Sequence, residues 1–327
     1  HTAGAAPGTR NVLASSFECA VEGCSFENAV LRYDASTGAY GGLHIPDIPG
    51  PYGMVVHRKT GRLLIALRAE NAVAEYDART GTYLRDFVTP GSGGLGNPKD
   101  LLLTAGNKLL VTSTPEIGST GVVNGILEYD GDTGQFIRVL VNGGTINPAF
   151  PEDCGDPSCI RGANNIAISP ANGNLYVVSG LTNRILEYNV TTGEYVGRII
   201  SGFLIEPIGL LIRSGAVRPG NLLVTTRWVD QSIPCDGEKI MEFDYITRNL
   251  YPQWPVLATG LIAPGPMLFD DAANVLVTEY VGSISAIQPD RIVIRHGTNG
   301  AHLGIFSGSN PNLHGPTGLA RIAFGLA

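Results

Sequence analysis

One phrase recurs six times along this chain, and a chain built from repeats of that length must stack them or close them into a ring. Five copies read Val30-Leu-Arg-Tyr-Asp34, Val73-Ala-Glu-Tyr-Asp77, Ile126-Leu-Glu-Tyr-Asp130, Ile185-Leu-Glu-Tyr-Asn189 and Ile240-Met-Glu-Phe-Asp244. The sixth, Ile292-Val-Ile-Arg-His296, is degenerate but aligns without a gap. Tyr33, Tyr76, Tyr129, Tyr188, Phe243 and Arg295 are thereby equivalent, 43 to 59 residues apart. Four copies run into a Thr-Gly turn (Thr37-Gly38, Thr80-Gly81, Thr133-Gly134, Thr192-Gly193) and then an aromatic residue.

Each repeat reads as an antiparallel meander. An apolar run such as Leu63-Leu-Ile-Ala-Leu67 or Leu222-Leu-Val-Thr-Thr226 suits a strand covered on both faces. The alternating Ile-Leu-Glu-Tyr-Asp strand follows, and glycine in the next turn supplies the positive φ. Upstream of the apolar run lies a short strand opened by Pro or Gly, as in Pro51-Tyr-Gly-Met-Val-Val56 and Pro98-Lys-Asp-Leu-Leu-Leu103. Four strands, a to d from the axis outward, make one propeller blade. No segment sustains an apolar 3.6-residue period, which excludes helical solenoids, and 43 Gly with 21 Pro fit a turn-rich chain.

The expected fold is therefore an all-β, six-bladed propeller spanning 1–327 as a single domain. Blade 1 is placed at 11–45 plus 315–325, blade 2 at 51–88, blade 3 at 97–141, blade 4 at 162–200, blade 5 at 206–258 and blade 6 at 264–306. Asn11-Val-Leu-Ala-Ser-Ser16 is a b strand with no a strand before it, and Gly315 to Phe324 is an a strand with no b strand after it. The last strand is expected to complete the first blade and remove an open edge.

The five cysteines form two tight pairs and a remainder. Cys19 with Cys24 and Cys154 with Cys159 bracket short polar loops, and Cys235 stands apart. A zinc knuckle would want matched Cys-x2-4-Cys spacing and a nearby histidine, which neither pair has, so disulfides are the favoured reading. They place the chain in an oxidising compartment, as does a chain that begins at His1 rather than Met. Cys235 is left unpaired or free to pair between chains. Asn189-Val190-Thr191 is a glycosylation sequon. The chain reads as secreted.

Composition excludes several classes. A net charge of −7 argues against nucleic acid as a partner, and no apolar run approaches the ~20 residues of a membrane helix. No phosphate-binding Gly-Lys-Ser/Thr loop and no Gly-x-Ser-x-Gly elbow is present.

Two places could carry function. In an antiparallel blade the b–c and d–a connections emerge on one face. Here they are long and irregular (17–28, 115–124, 142–161, 227–238 and 281–290) and hold all five cysteines, which suits a binding face. The inner strands supply the second. The position after Pro-x is Gly53, Gly209 and Gly318 in three repeats, but Asp100 and Asn165 in two others. Asn164 precedes Asn165, Glu279 ends a b strand, and Arg68 and Arg227 follow b strands. Oxygen ligands from Asp100, Asn165 and Glu279 around an axial channel would suit Ca2+; the competing reading has them bonding loop backbone or channel water. His44, His57, His296 and His302 read as surface residues, whereas His314 precedes the closing strand and could face the channel.

The Pro-x-Gly-Leu, Leu-Leu-Val-Thr-Ser and Ile-Leu-Glu-Tyr-Asp-x-x-Thr-Gly phrases resemble the NHL-type and virginiamycin B lyase-like propellers of secreted bacterial proteins, over nearly the whole chain. That resemblance implies a fold and no particular activity. Six-bladed sugar lactonases hold a divalent metal with a Glu from the first blade's inner strand, two Asn and an Asp. Here that strand reads His314-Gly-Pro-Thr-Gly-Leu319, so only Asn165 and Asp100 match. Streptogramin lyases use a His–Glu constellation with Mg2+. Val277-Thr-Glu279 is similar to their Trp-Phe-Thr-Glu phrase but lacks its aromatics, and no histidine stands beside the inner Pro-x-Gly positions. With no catalytic set complete, the expected function is a non-enzymatic, secreted scaffold. It would bind an extracellular protein, a glycan or itself through the disulfide-bearing loop face; a metal-dependent lactonase or lyase at the channel mouth is the alternative.

Overall fold

The computed structural model describes residues 10–17, 28–116, 120–144, 156–199, 204–214, 218–227, 238–249, 256–258, 260–281, 290–307 and 313–323. Within them lie six separate four-stranded sheets. In blade 1, β1 (Arg10–Ser16), β2 (Ala29–Asp34) and β3 (Tyr40–Ile45) are joined by β24 (Pro316–Ala323). Blade 2 holds β4 (Pro51–Val56), β5 (Leu63–Leu67), β6 (Ala72–Tyr76) and β7 (Tyr83–Val88). Blade 3 holds β8 (Leu101–Leu103), β9 (Lys108–Ser113), β10 (Gly125–Asp130) and β11 (Phe136–Asn142). Blade 4 holds β12 (Ala163–Ile168), β13 (Leu175–Ser179), β14 (Arg184–Tyr188) and β15 (Tyr195–Ile199). Blade 5 holds β16 (Pro207–Ile212), β17 (Leu222–Thr226), β18 (Lys239–Phe243) and β19 (Val256–Ala258). Blade 6 holds β20 (Pro264–Phe269), β21 (Val275–Glu279), β22 (Arg291–Arg295) and β23 (His302–Ile305). All pairings are antiparallel. No helix among the described residues is long and apolar enough to cross a membrane.

Closure is as expected. β24 pairs with β1 from Arg10 opposite Ala323 to Ser16 opposite Pro316, and the inner strands touch in cyclic order, β24 against both β4 and β20.

The repeated phrase has a period of two because successive side chains feed different cores. Six apolar clusters fill the six gaps between blades. Ile126 packs toward blade 4 while Leu127 and Tyr129 pack toward blade 2. The cluster of Val12, Ala14, Leu31 and Tyr33 with Leu276, Ile292 and Phe306 seals blade 1 to blade 6. Each buried tyrosine also meets the aromatic after its Thr-Gly turn: Tyr33–Tyr40, Tyr76–Tyr83, Tyr129–Phe136 and Tyr188–Tyr195 lie 5.6 to 5.9 Å apart. The degenerate repeat puts Arg295 opposite Val275, where blade 2 puts Tyr76 opposite Leu63.

The turn glycines do more than permit positive φ. A Cβ on Gly134 (φ +77°) would overlap the Phe87 carbonyl oxygen of blade 2, and one on Gly193 (φ +76°) the Leu140 carbonyl of blade 3. The c–d turns of blades 1 to 4 thus rest on the outer strand of the preceding blade. Gly61, in an a–b turn with φ +68°, faces open space.

The glutamate of the phrase is also part of the joint. Glu75 accepts from Arg85 Nε at 2.6 Å and Glu128 from Arg138 Nε at 2.7 Å, with Arg85 and Arg138 donating onward to carbonyls of the next blade, Asp132 and Thr191. Glu187 accepts from Arg248 of blade 5 at 2.8 Å. Glu242, fully buried, accepts from Arg213 and Asn221 and pairs with Arg218 at 2.9 Å. This belt accounts for part of the predominance of arginine over lysine in the chain.

Two histidines correct the surface reading. His44 lies in β3 and His57 just after β4, both buried, with Nε2 atoms 3.0 Å from the Ala78 oxygen and 2.6 Å from the Gly131 oxygen. Each reaches the next blade, a contact that sequence neighbours do not reveal.

Candidate functional site

The inner strands share one irregularity. In four blades the a–b register jumps across two residues: between Pro51 and Met54, Ala163 and Ile166, Pro207 and Leu210, and Pro264 and Met267. In blade 3 the ladder begins only at Leu101, so Lys99 and Asp100 lie outside it, although the sequence suggested a strand from Pro98. Residues left out of a ladder are re-aimed. By register Tyr52, Lys99, Asn164, Ile208, Gly265 and Thr317 are equivalent, and so are Gly53, Asp100, Asn165, Gly209, Pro266 and Gly318.

All of these except Gly209 line one cavity of about 360 Å³, with Phe17, Arg227 and Tyr280 among its other walls. Because a strands begin, and b strands end, on the long-loop face, this cavity is the axial mouth on that face.

Its polar groups tie the blades together. Asp100 Oδ2 accepts from Asn165 Nδ2 at 2.6 Å and from the Ile166 amide at 2.9 Å, linking blade 3 to blade 4. Asn165 Oδ1 accepts from the Leu210 amide at 2.8 Å, linking blade 4 to blade 5. Lys99 Nζ donates to Asn164 Oδ1 at 2.8 Å, and Asn164 Nδ2 donates to the Pro207 carbonyl at 3.1 Å. Ser15 Oγ and Thr317 Oγ1 donate to the Tyr52 and Pro51 carbonyls, linking the closed blade 1 to blade 2. Gly53 is required here, since a Cβ would press on the Asp100 side chain and backbone.

Burial moves both charges toward neutrality. Desolvation raises the Asp100 carboxyl to about 7, against the lowering effect of the Ile166 and Leu101 amides. Desolvation lowers the Lys99 ammonium to about 8, with Arg68 acting the same way and Glu206 opposing it.

At the rim, Arg68 lies over the Phe17 and Tyr52 rings at 5.6 and 5.7 Å, donates to Asn97 Oδ1 at 3.0 Å and comes within 3.9 Å of Glu116. Arg227 lies over the Tyr280 ring at 5.3 Å.

The sequence candidates therefore divide. Asp100, Asn164, Asn165 and Arg227 line the mouth and Arg68 borders it. Glu279 does not line it. Its oxygens accept from Arg291 Nε at 2.5 Å and the Ile262 amide at 3.1 Å, and it is fully buried in that arrangement. The trio Asp100, Asn165 and Glu279 is thus not assembled into one ligand set, because strand c supplies Glu279 with a cation of its own. Among the described residues no three His, Cys, Asp or Glu side chains converge as a metal cluster. Lys99 was missed, although comparing the x of Pro-x-Gly across the repeats would have found it. Of the cysteines, the buried Cys159 is described; Cys19, Cys24, Cys154 and Cys235 lie outside the described residues. Asn189 caps its turn, Oδ1 accepting from the Thr191 and Thr192 amides at 2.8 and 3.0 Å.

No family model matches the sequence, and no curated protein matches it. Solved structures do share the fold. One, from "Crystal structure of Nidogen/Laminin Complex", is 13% identical with a TM-score of 0.66, over 97% of this chain and 100% of that one. Another, a protein of unknown function from Bacteroides caccae, is 13% identical with a TM-score of 0.64, over 96% and 99% of the two chains. At that identity the likeness establishes a shared six-bladed propeller architecture.

Proposed function

We propose that the protein is a secreted, non-enzymatic propeller that binds an extracellular partner (a protein, a glycan or another copy of itself) across the long-loop face around the axial mouth. The observation that carries this reading is the rim, where Arg68 packs on Phe17 and Tyr52, and Arg227 on Tyr280, around a concavity. Arginine and tyrosine dominate binding energy at interfaces when they surround a pocket, and a guanidinium stacked on a ring is already ordered before a partner arrives. The structure of a propeller in a nidogen/laminin complex adds support by analogy of fold. The blade phrases keep their likeness to NHL-type repeats as part of this reading.

In this reading Cys19–Cys24 and Cys154–Cys159 disulfides stiffen the loops, Cys235 links chains, and Asn189 carries a glycan. A surface with few charges lowers the repulsion between copies. The lactonase or lyase alternative has less support, because Asp100 and Glu279 already accept from protein donors.

Light scattering on the size-exclusion eluate, run beside non-reducing electrophoresis, tests the self-assembly form. Wild type should assemble with rising concentration, and the Arg68→Glu/Arg227→Glu double variant should remain monomeric with an unchanged far-UV spectrum. A wild type that is monomeric throughout, with an unreactive Cys235, would leave only a foreign partner.

A further inference from the structure

The axial mouth is divided in composition. Blades 3 and 4 contribute Lys99 and Asn164, blade 5 sets Arg227 beside Ile208, and blade 6 contributes Pro266 and Met267. Lys99 carries three ammonium donors, of which one reaches Asn164 Oδ1. No carboxylate lies within ion-pair distance of Lys99 or Arg227 among the described residues. Glu206 acts on Lys99 and Glu238 on Arg227 only through the longer-range field. The neighbouring Asp100 spends Oδ2 on Asn165 and Ile166. A partly buried cation without a counter-charge attracts one, and a chain of net charge −7 that concentrates cations at one concavity focuses anions there.

We propose that this mouth binds a small amphipathic carboxylic acid, its carboxylate received by Lys99 and Arg227 and its apolar body lying against Tyr52, Ile208 and Met267. The volume falls at the lower end of small-ligand sites, which suits one ring or a short aliphatic chain. A carboxylate accepts charge-assisted hydrogen bonds from both cations, while Tyr52, Ile208 and Met267 reward apolar surface. A short polar acid gains only the first of these, and a neutral amide only the second. The site does not depend on the rim having a macromolecular partner, so a monomeric result in the light-scattering test leaves it standing.

Calorimetric titration of the purified protein with 3-phenylpropionate, 3-phenylpropanamide, octanoate and acetate tests the proposal. The two amphipathic acids should bind, and the amide and acetate should bind at least about tenfold more weakly. Lys99→Met should weaken the acids about ten- to hundredfold. Ile208→Trp, which fills the apolar side and leaves Lys99 in place, should abolish them and decides the matter if Lys99→Met fails to fold. Equal binding of acid and amide, acid binding that survives both variants, or no heat from either acid at millimolar concentration would each overturn it.

Discussion

Two groups of buried charges in this propeller are handled in opposite ways. In the belt between blades, Glu75, Glu128, Glu187 and Glu242 each hold an arginine, and the arginines of Glu75, Glu128 and Glu242 continue to a carbonyl of the next blade. At the axis, Lys99 and Asp100 are neighbours in sequence yet do not pair with each other, and burial drives both toward their neutral forms. A position that recurs in the repeat acquires a recurring partner and becomes part of the joint. A position that differs from blade to blade finds neutral hydrogen-bond partners but no counter-charge, as Lys99 and Asp100 do beside the cavity. The difference separates residues that build the ring from residues that give this ring its individuality.

The largest test removes the seam on which both regions depend. Deleting residues 315–327 takes β24 from β1 and strips Ala320 and Ile322 from one inter-blade core and Leu319 from another. At about 1.5–3 kcal/mol for each large apolar side chain exposed, plus a lost ladder, the cooperative thermal transition should disappear. A melt resembling the parent's would show that closure contributes little.

Next in size is the belt. Arg213→Met leaves the fully buried Glu242 with one fewer cation and should cost about 3–5 kcal/mol in urea unfolding. Arg85→Met, whose arginine is nearly half exposed, should cost about 1 kcal/mol or less. Equal losses would mean that burial does not set the value of these pairs.

Glycine turns probe the same joints without charge. Gly134→Ala combines a left-handed φ with overlap on the Phe87 carbonyl and should cost about 3 kcal/mol. Gly61→Ala has the strain without the overlap and should cost about 1 kcal/mol.

The axis gives the most specific signal. Asp100 is raised from 3.8 to about 7 in the folded protein. Between those values the unfolded chain has released the proton and the folded one has kept it, so this residue makes stability fall as pH rises from about 4 to 7 and is without further effect above. Asp100→Asn should therefore gain on wild type across that window, by about 2 kcal/mol, roughly half the full linkage value because the group borders a solvent-connected cavity. A constant difference between pH 4 and 8 would place the Asp100 pKa near its ordinary value.

Much of the fold could be read from the repeat, because Leu, Ile, Tyr and the Thr-Gly turn do the same job in every blade. The sixth copy was readable despite Arg295 and His296, since alignment survives substitution at single positions. The site was legible only in part. Asp100 and Asn165 stand out as departures from Gly, whereas Lys99 shows only when the x of Pro-x-Gly is compared across the repeats, because no one residue recurs there. Glu279 looked like an axial ligand because its partner, Arg291, belongs to a strand that pairs with it only in the folded sheet. His44 and His57 read as surface residues in the sequence because their backbone partners are 34 and 74 residues away.

By itself the sequence determined the number of blades, the strand period and the split first blade, because these follow from periodicity and from unmatched strands at the two ends. Which polar groups meet was decided only by the tertiary structure. Each inter-blade contact joins residues from different repeats, and whether a buried charge finds a partner there depends on register and distance, which no single repeat contains.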